Sequence, residues 1–294
     1  MSSKKKKSFK SNAFLPLFVI ALIGLPILIY NSRRVPEPGS DVKVTKLPPE
    51  FKKVLTAAPK NEQVMVRVPI LLYHYVEYVQ DKKDTTRQKL DITPYAFLSQ
   101  IETLKKAGYT FINASDLSAA LSGKTKLPQK SVMLTFDDGY MDFYTNVFPI
   151  LKKEQVKAVE YVIADFLNRP NFMFTFQLQQ IAKSPFVEIG AHTMDHVWLK
   201  GMTKNMAWFE INQSRKDLQK ITGLPVNSFA YPYGAFDQQA VSFVKDAGFS
   251  TAVSTLPGVE EGSVNRYFLY RIRPGYRTGQ NLLDYLSQDN FKQW

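Results

Sequence analysis

The sequence predicts an α/β fold, a closed or distorted (β/α) barrel, on the strength of three observations. From Val66 onward, apolar runs of strand length alternate with amphipathic stretches of helix length. Repeated units of this kind build a parallel sheet with helices outside. The units number roughly seven, which suits a barrel. Finally, His74, Asp137, Asp138, His192 and Tyr233 each come just after an expected strand. The carboxyl ends of strands are where such barrels gather their chemistry.

Val68–Tyr73 reads as the first of these strands. Thr93-Pro94 is an N-cap followed by proline at the first helical position. Leu98, Ile101 and Leu104 form the apolar stripe of that helix, and Gly108 ends it. Ser131–Phe136 is an apolar strand, and Phe143–Leu151 a helix broken near Pro149. Lys157–Ile163 is a strand, Phe174–Ala182 a helix and Phe186–Gly190 a strand. Thr203 caps a long helix that stops before Gly223, and Ser228–Tyr231 follows as a strand. Asp237 caps a helix carrying Ala240, Val241 and Val244, which ends at Gly248. Phe249–Ser254 and Phe268–Ile272 are strands, and Leu282–Leu286 is a last helix. There is no internal repeat.

Ahead of this domain the chain changes character. The net charge is +12, but residues 1–34 carry Lys4, Lys5, Lys6, Lys7, Lys10, Arg33 and Arg34 and no acid, so only +5 belongs to the rest. That distribution argues against a nucleic-acid protein, since the excess sits at one end beside an apolar segment. Ala13 to Tyr30 is apolar apart from its Gly and Pro residues. As a helix it would span about 27 Å, just enough for a hydrocarbon core of about 30 Å. Five lysines precede it, so its amino end is expected in the cytoplasm and the domain outside. A cleaved signal peptide is the competing reading, disfavoured by the length and by the lack of a small-x-small site before Arg33. The expected organisation is a basic tail (1–12), a transmembrane anchor (13–30), a Pro-punctuated extracellular linker (31–65) and a domain (66–294).

The chain has no cysteine, which removes disulfides and thiolate zinc sites. It has three histidines, and two of them stand four apart in His192-Thr193-Met194-Asp195-His196. Thr135-Phe136-Asp137-Asp138-Gly139-Tyr140 puts two carboxylates after an apolar strand. An Asp-Asp pair alone is usually a turn or a cap, and His-x-x-x-His alone can arise on any helix surface. Together, both at strand ends, one carboxylate and two imidazoles form a ligand set for a divalent metal with open positions. The other carboxylate is left to activate water, which points to a metal-dependent hydrolase.

At these residues the chain resembles the polysaccharide deacetylases, the NodB-homology group of carbohydrate esterase family 4. Thr135–Tyr140 is similar to the family's first motif and His192–His196 to its second. Phe229-Ala230-Tyr231-Pro232-Tyr233-Gly234 is similar to the third in its Pro-Tyr-Gly part, and the likeness covers about residues 66–290. The resemblance implies a distorted (β/α) barrel, a divalent metal and removal of acetyl groups from N-acetylhexosamine polymers. It implies Asp137 as general base, Asp138, His192 and His196 as metal ligands, and the backbone N–H of Tyr233 as oxyanion donor. Zinc suits these ligands, with cobalt, nickel and manganese as alternatives.

The departures carry expectations of their own. Tyr231 stands roughly where many members have an arginine that steadies the base, so Arg271 or Arg273 is expected to do so instead. No histidine follows His196, so the family's late Leu-x-His motif is missing. His74, in Leu71-Leu72-Tyr73-His74-Tyr75, resembles the early Tyr-His of permuted members acting on poly-N-acetylglucosamine, where it serves as acid. Among the aromatics Tyr75, Tyr78, Phe172, Phe174, Trp198 and Trp208, the sugar is assigned to Trp198, together with Tyr231. The expected substrate is a GlcNAc-containing wall or surface glycan: peptidoglycan, a wall-polysaccharide linkage region or poly-GlcNAc. An O-acetyl esterase and an inactive glycan-binding module are the other two readings.

Overall fold

The computed structural model describes residues 47–57 and 63–291. In chain order the elements are α1 (Pro49–Ala57), β1 (Met65–Arg67), β2 (Ile70–Tyr73), β3 (Tyr75–Val76), α2 (Thr85–Leu90), β4 (Asp91–Ile92), α3 (Pro94–Lys106), β5 (Thr110–Ile112), α4 (Ala114–Leu121) and β6 (Ser131–Asp138). They continue as α5 (Phe148–Glu154), β7 (Ala158–Val162), α6 (Thr175–Ala182), β8 (Val187–Ala191), α7 (Lys204–Thr222), β9 (Ser228–Ala230), α8 (Gln238–Asp246), β10 (Thr251–Val253), β11 (Glu260–Gly262) and α9 (Gly279–Leu286). The expected basic tail and anchor lie outside the described residues. Among the described residues no helix is long and apolar enough to cross a membrane.

A curled parallel sheet runs in the order β10-β9-β8-β7-β6-β2, with β5 also paired to β6. A parallel strand covered on both faces should be apolar at nearly every position, and β6 is buried along its whole length. Because alternate residues face opposite sides, β6 sorts into two layers. Val132, Leu134 and Phe136 pack outward with the helices. Met133 packs inward with Ile70, Val159, Tyr161, Ala230, Val253 and Leu269. Thr135 and Asp137 share that inward side by period. Gly190 allows this interior to close, since a Cβ there would lie 2.3 Å from the Tyr161 ring.

Residues 268–272, expected as a strand, form none. The Leu269 N–H donates to the Ala252 carbonyl (2.8 Å), and the Ile272 N–H donates to the Ile70 carbonyl (2.9 Å). Ser254 and Leu72 return bonds to Leu269 and Ile272 at 2.8 and 2.9 Å. The segment leaves one sheet edge and reaches the other within three residues, too few to ladder with either. It therefore bridges the gap between β10 and β2, with Arg271 at mid-span.

The expected caps appear at Thr93, whose Oγ1 accepts the Ala96 N–H at 3.2 Å, and at Asp237, whose carboxylate accepts the Ala240 N–H at 2.9 Å. Thr203 makes no such side-chain bond. The helix expected to break near Pro149 instead continues through one π turn, Phe143–Val147, where the Phe148 N–H reaches the Phe143 carbonyl. Proline lacks an N–H and crowds the carbonyl four residues back, and the wider turn accommodates it.

The expected linker needs correction. Within it, α1 carries Phe51, 3% exposed, whose ring lies 4.9 Å from that of Phe268 and 5.3 Å from that of Phe236. β1 pairs antiparallel with β11. Phe51 thus belongs to the core of the domain expected to begin at 66, because one phenylalanine in a charged, proline-rich stretch found a core partner that periodicity could not reveal. Phe51→Ala should cost about 3–5 kcal/mol of stability. Urea unfolding with an unchanged slope and a lower midpoint would show it; a loss below about 1 kcal/mol would mean α1 contributes little to the core.

Candidate active site and metal centre

The carboxyl ends of four strands of this sheet build the site. Asp137 and Asp138 end β6, His192 follows β8, Tyr233 follows β9, and His74 follows β2. Parallel strands place all these ends on one rim. Of the seven non-glycine residues with positive φ among those described, Asp138 (88°), Thr193 (64°), His196 (55°) and Tyr233 (59°) belong to this rim. Such conformations cost on the order of 1–3 kcal/mol each and persist only where the surroundings impose them.

Asp138, His192 and His196 are all buried, and their ligand atoms lie within 4.8 Å of one another. Asp138 Oδ1 is 3.4 Å from His192 Nε2 and 3.3 Å from His196 Nε2. Three donors at about 2.1 Å from one ion in tetrahedral array would be about 3.4 Å apart. His192 Nδ1 lies 2.8 Å from the Ala230 carbonyl. The carbonyl can only accept, so Nδ1 carries a proton and Nε2 is the ring nitrogen turned toward the carboxylate. Asp138 Oδ1 and His196 Nδ1 are buried with no hydrogen-bond partner. A cation among these three buried ligand atoms would satisfy the orphaned carboxylate oxygen. The residues fit a divalent metal.

Asp137 is held from below. Arg271, fully buried inside the barrel, donates from Nη1 to Asp137 Oδ1 at 2.7 Å and from Nη2 to Oδ2 at 2.8 Å. Its Nε donates to the Ser254 carbonyl at 2.7 Å and Nη1 to Thr135 Oγ1 at 3.3 Å. Burial pushes the Asp137 carboxyl up, but the Arg271 guanidinium overrides it and holds the group below the usual carboxylate range. Asp138 is likewise held low: burial opposes, and His196 and His192 outweigh it. Of the two arginines expected as candidates, it is Arg271 that makes the bidentate pair.

His74 stands half-buried on the same rim, and its Nδ1 has no hydrogen-bond partner. Burial pushes it down to about 4 against the pull of Asp138, so the resting ring is neutral. Tyr233 sits in the Pro232–Gly234 turn with its ring 4.5 Å from that of His196. Gly234 is needed there, with φ +67° and a built Cβ only 2.0 Å from Thr255 Oγ1. Trp198 lies 6.1 Å from the Tyr233 ring.

Tyr231 is a correction. Expected at the sugar, it is 0% exposed, packed by Phe229 and Phe236 at 5.2 and 4.9 Å, with its hydroxyl donating to the Tyr267 carbonyl at 2.9 Å. No face is left for a ligand. Its neighbours at alternate positions in the motif are apolar, and that pattern reads as core. Trp208 packs on Phe243 at 5.6 Å and Tyr75 on Tyr140 at 4.0 Å, so these aromatics are structural too. Sequence reasoning missed Glu210, a carboxylate on the buried stripe of α7, which accepts the N–H groups of Met194 and Asp195 between the two histidines. An acid where the helical period demands an apolar residue was the available signal.

Residues 124–252 match the polysaccharide deacetylase family. The match spans Asp137, Asp138, His192, His196 and Tyr233, and leaves His74 and Arg271 outside it. YxkH of Bacillus subtilis (strain 168), named for the same family, is 27% identical over 218 residues, 74% of this chain and 75% of that protein. The poly-β-1,6-N-acetyl-D-glucosamine N-deacetylase of Staphylococcus aureus (strain MW2) is 24% identical over 279 residues, 90% of this chain and 92% of that one. Among solved structures, the Streptococcus pyogenes deacetylase PplD in complex with acetate superposes with a TM-score of 0.70 at 27% identity, covering 76% of this chain and 99% of that chain. Strand-end motifs, curled sheet and relatives agree: over residues 124–252 the chain matches the polysaccharide deacetylase family, and its fold is similar to that of the solved deacetylase.

Proposed function

We propose that this hydrolase is a metal-dependent N-deacetylase that removes acetyl groups from N-acetylglucosamine units of a surface or wall glycan. The observation that carries the reading is the pairing of two acids with separate environments. Asp138 faces two imidazoles, while its neighbour Asp137 is clamped by Arg271. A likeness of 24% across 90% of the chain to a poly-β-1,6-N-acetyl-D-glucosamine N-deacetylase supports the substrate class. In this reading the domain works outside the cell, tethered by residues 13–30, as the lysine-flanked apolar segment supports.

Asp138, His192 and His196 would hold a divalent ion, zinc by the character of these donors, and when bound it would supply Lewis-acid polarisation of the amide carbonyl and acidify water. Asp137, kept ionised by Arg271, takes the proton from the attacking water. The forked bond fixes both carboxylate oxygens, so Asp137 need not reorganise as charge develops. The Tyr233 N–H donates to the oxyanion. His74 delivers a proton to the departing amine. Its resting ring is neutral, so it takes that proton from solvent during turnover, when growing negative charge beside it favours the imidazolium, and Asp137 returns its own proton to solvent as acetate leaves.

Acetate release by the full chain, metal-loaded, on GlcNAc oligomers and on cell-wall material tests the reading. Asp137→Asn should lower turnover by roughly 10²–10⁴-fold with metal content unchanged. Release from O-acetylated polysaccharide but not from GlcNAc units would overturn the N-deacetylase reading in favour of an esterase. Release from none, with metal bound, would favour a binding module.

The pH profile offers a second check. The base works when ionised, so activity is present above the Asp137 pKa and lost as pH falls through it. Arg271 lowers that pKa, so Arg271→Gln should move the acidic limb of kcat/KM to higher pH, and a limb that stays in place would separate Arg271 from the base.

A further inference from the structure

The loop that carries the two histidines is short, strained and held by a residue from another element. His192 and His196 are separated by Thr193, Met194 and Asp195, and both Thr193 (φ 64°) and His196 (φ 55°) are left-handed. β-Branched and bulky residues do not adopt that conformation unaided. Some of the constraint is internal: the His196 N–H donates to Thr193 Oγ1 at 2.9 Å, and that hydroxyl donates to the His192 carbonyl at 2.6 Å. Some comes from the segment after β7, where the Ala164 and Asp165 N–H groups donate to the Thr193 and Met194 carbonyls at 3.1 and 3.0 Å.

The two central N–H groups of the loop remain, and one atom takes both. Glu210 Oε2, on the second turn of α7, accepts from the Met194 N–H at 3.0 Å and from the Asp195 N–H at 3.1 Å. Glu210 is 6% exposed and lies on the buried stripe with Ala207, Ile211, Ser214 and Leu218. A carboxylate placed there forgoes the packing that an apolar residue would give and carries a desolvation cost. Its return is a fixed crest in the loop, since two N–H vectors converging on one oxygen define where Met194 and Asp195 sit. The crest in turn sets the separation and tilt of the rings on either side, 5.0 Å apart at 55°.

We infer that Glu210 is a positioning residue for the metal centre: its carboxylate holds the His192–His196 loop in the left-handed conformation that aims both imidazoles at one ion. The inference rests on the metal reading above. It makes affinity and coordination geometry depend on the seating of α7, a long helix that supplies no ligand of its own. Glu210 acts through the loop and touches neither the ion nor the substrate, which distinguishes it from Asp137.

The test uses the full chain with Co²⁺ as probe, reading affinity by titration and geometry from the visible absorption bands of bound cobalt. Glu210→Gln keeps an acceptor oxygen at the same reach and should bind Co²⁺ within about threefold of the unmodified chain, with the same bands. Glu210→Leu, which removes the acceptor, and Glu210→Asp, which keeps the charge but retracts it by one methylene, should each lose roughly 10–100-fold in affinity and alter the bands. If Glu210→Leu does not fold, Glu210→Asp decides. Wild-type affinity and bands in Glu210→Asp would overturn the inference, as would a Gln variant as impaired as the Asp variant. Failure of the unmodified chain itself to bind Co²⁺ more tightly than Asp138→Ala would instead remove the metal reading and the inference with it.

Discussion

A guanidinium with no exposure to solvent, gripping a carboxylate at 2.7 and 2.8 Å, is the interaction on which the rest of this molecule depends. Burying both charges is expensive, and such a pair is seldom a net gain over packed hydrocarbon. Breaking it by removing one partner is worse, at about 3–5 kcal/mol, because a lone charge is then stranded. The pair is tolerated here because further acceptors, the Ser254 carbonyl and Thr135 Oγ1, satisfy two of the three remaining guanidinium N–H groups. Its use is chemical: it holds a buried aspartate ionised against the burial that would neutralise it.

The same arginine ties the fold to the site. Arg271 lies in the segment that leaves β10 at Leu269 and joins β2 at Ile272. Bridging the edges of the sheet and delivering the guanidinium beneath Asp137 are therefore one structural event. A barrel closed by a long, regular strand would point every second side chain inward in fixed register. A short irregular bridge can place one long side chain across the interior, and Gly190 leaves the space that Tyr161 fills beside it.

Much of this was legible in the sequence because the strongest signals are local. Parallel strands announce themselves as apolar runs, and a carboxylate or histidine just past such a run lands on the catalytic rim whatever the details of packing. That rule places Asp137, Asp138 and His192 together, while the division into base and ligands came from the family resemblance. What stayed hidden depends on distant partners. Phe51 looks like an isolated aromatic in a linker until Phe236 and Phe268 are seen to receive it. Arg271 and Arg273 are equivalent in sequence, and only the sheet edges decide which one points at Asp137. Tyr231 was misread because the motif was weighed by its position and not by its apolar surroundings. Residues 268–272 have strand composition, but strand formation needs a partner along the whole length, and this segment divides its bonds between two.

The adjacency of Asp137 and Asp138 poses a geometric problem that the backbone solves. Successive residues of a strand point to opposite faces, so a regular β6 would send Asp137 into the barrel and Asp138 outward among the helices with Phe136's neighbours. Two carboxylates with opposed vectors cannot serve one reaction. At Asp138 the chain turns left-handed, with φ at 88°, and Gly139 follows at 84°. The turn brings the Asp138 carboxylate over the rim toward His192 and His196, while Asp137 keeps its inward register above Arg271. One residue obeys the pleat and the next departs from it, and that departure lets neighbouring aspartates take separate roles, one as base and one as ligand. The opposite His192–His196 loop meets the same requirement with two left-handed residues and a carboxylate from α7. Strain on both sides of the centre has one cause: four side chains from two strand ends must converge within a few ångströms, and extended backbone alone cannot bring them there.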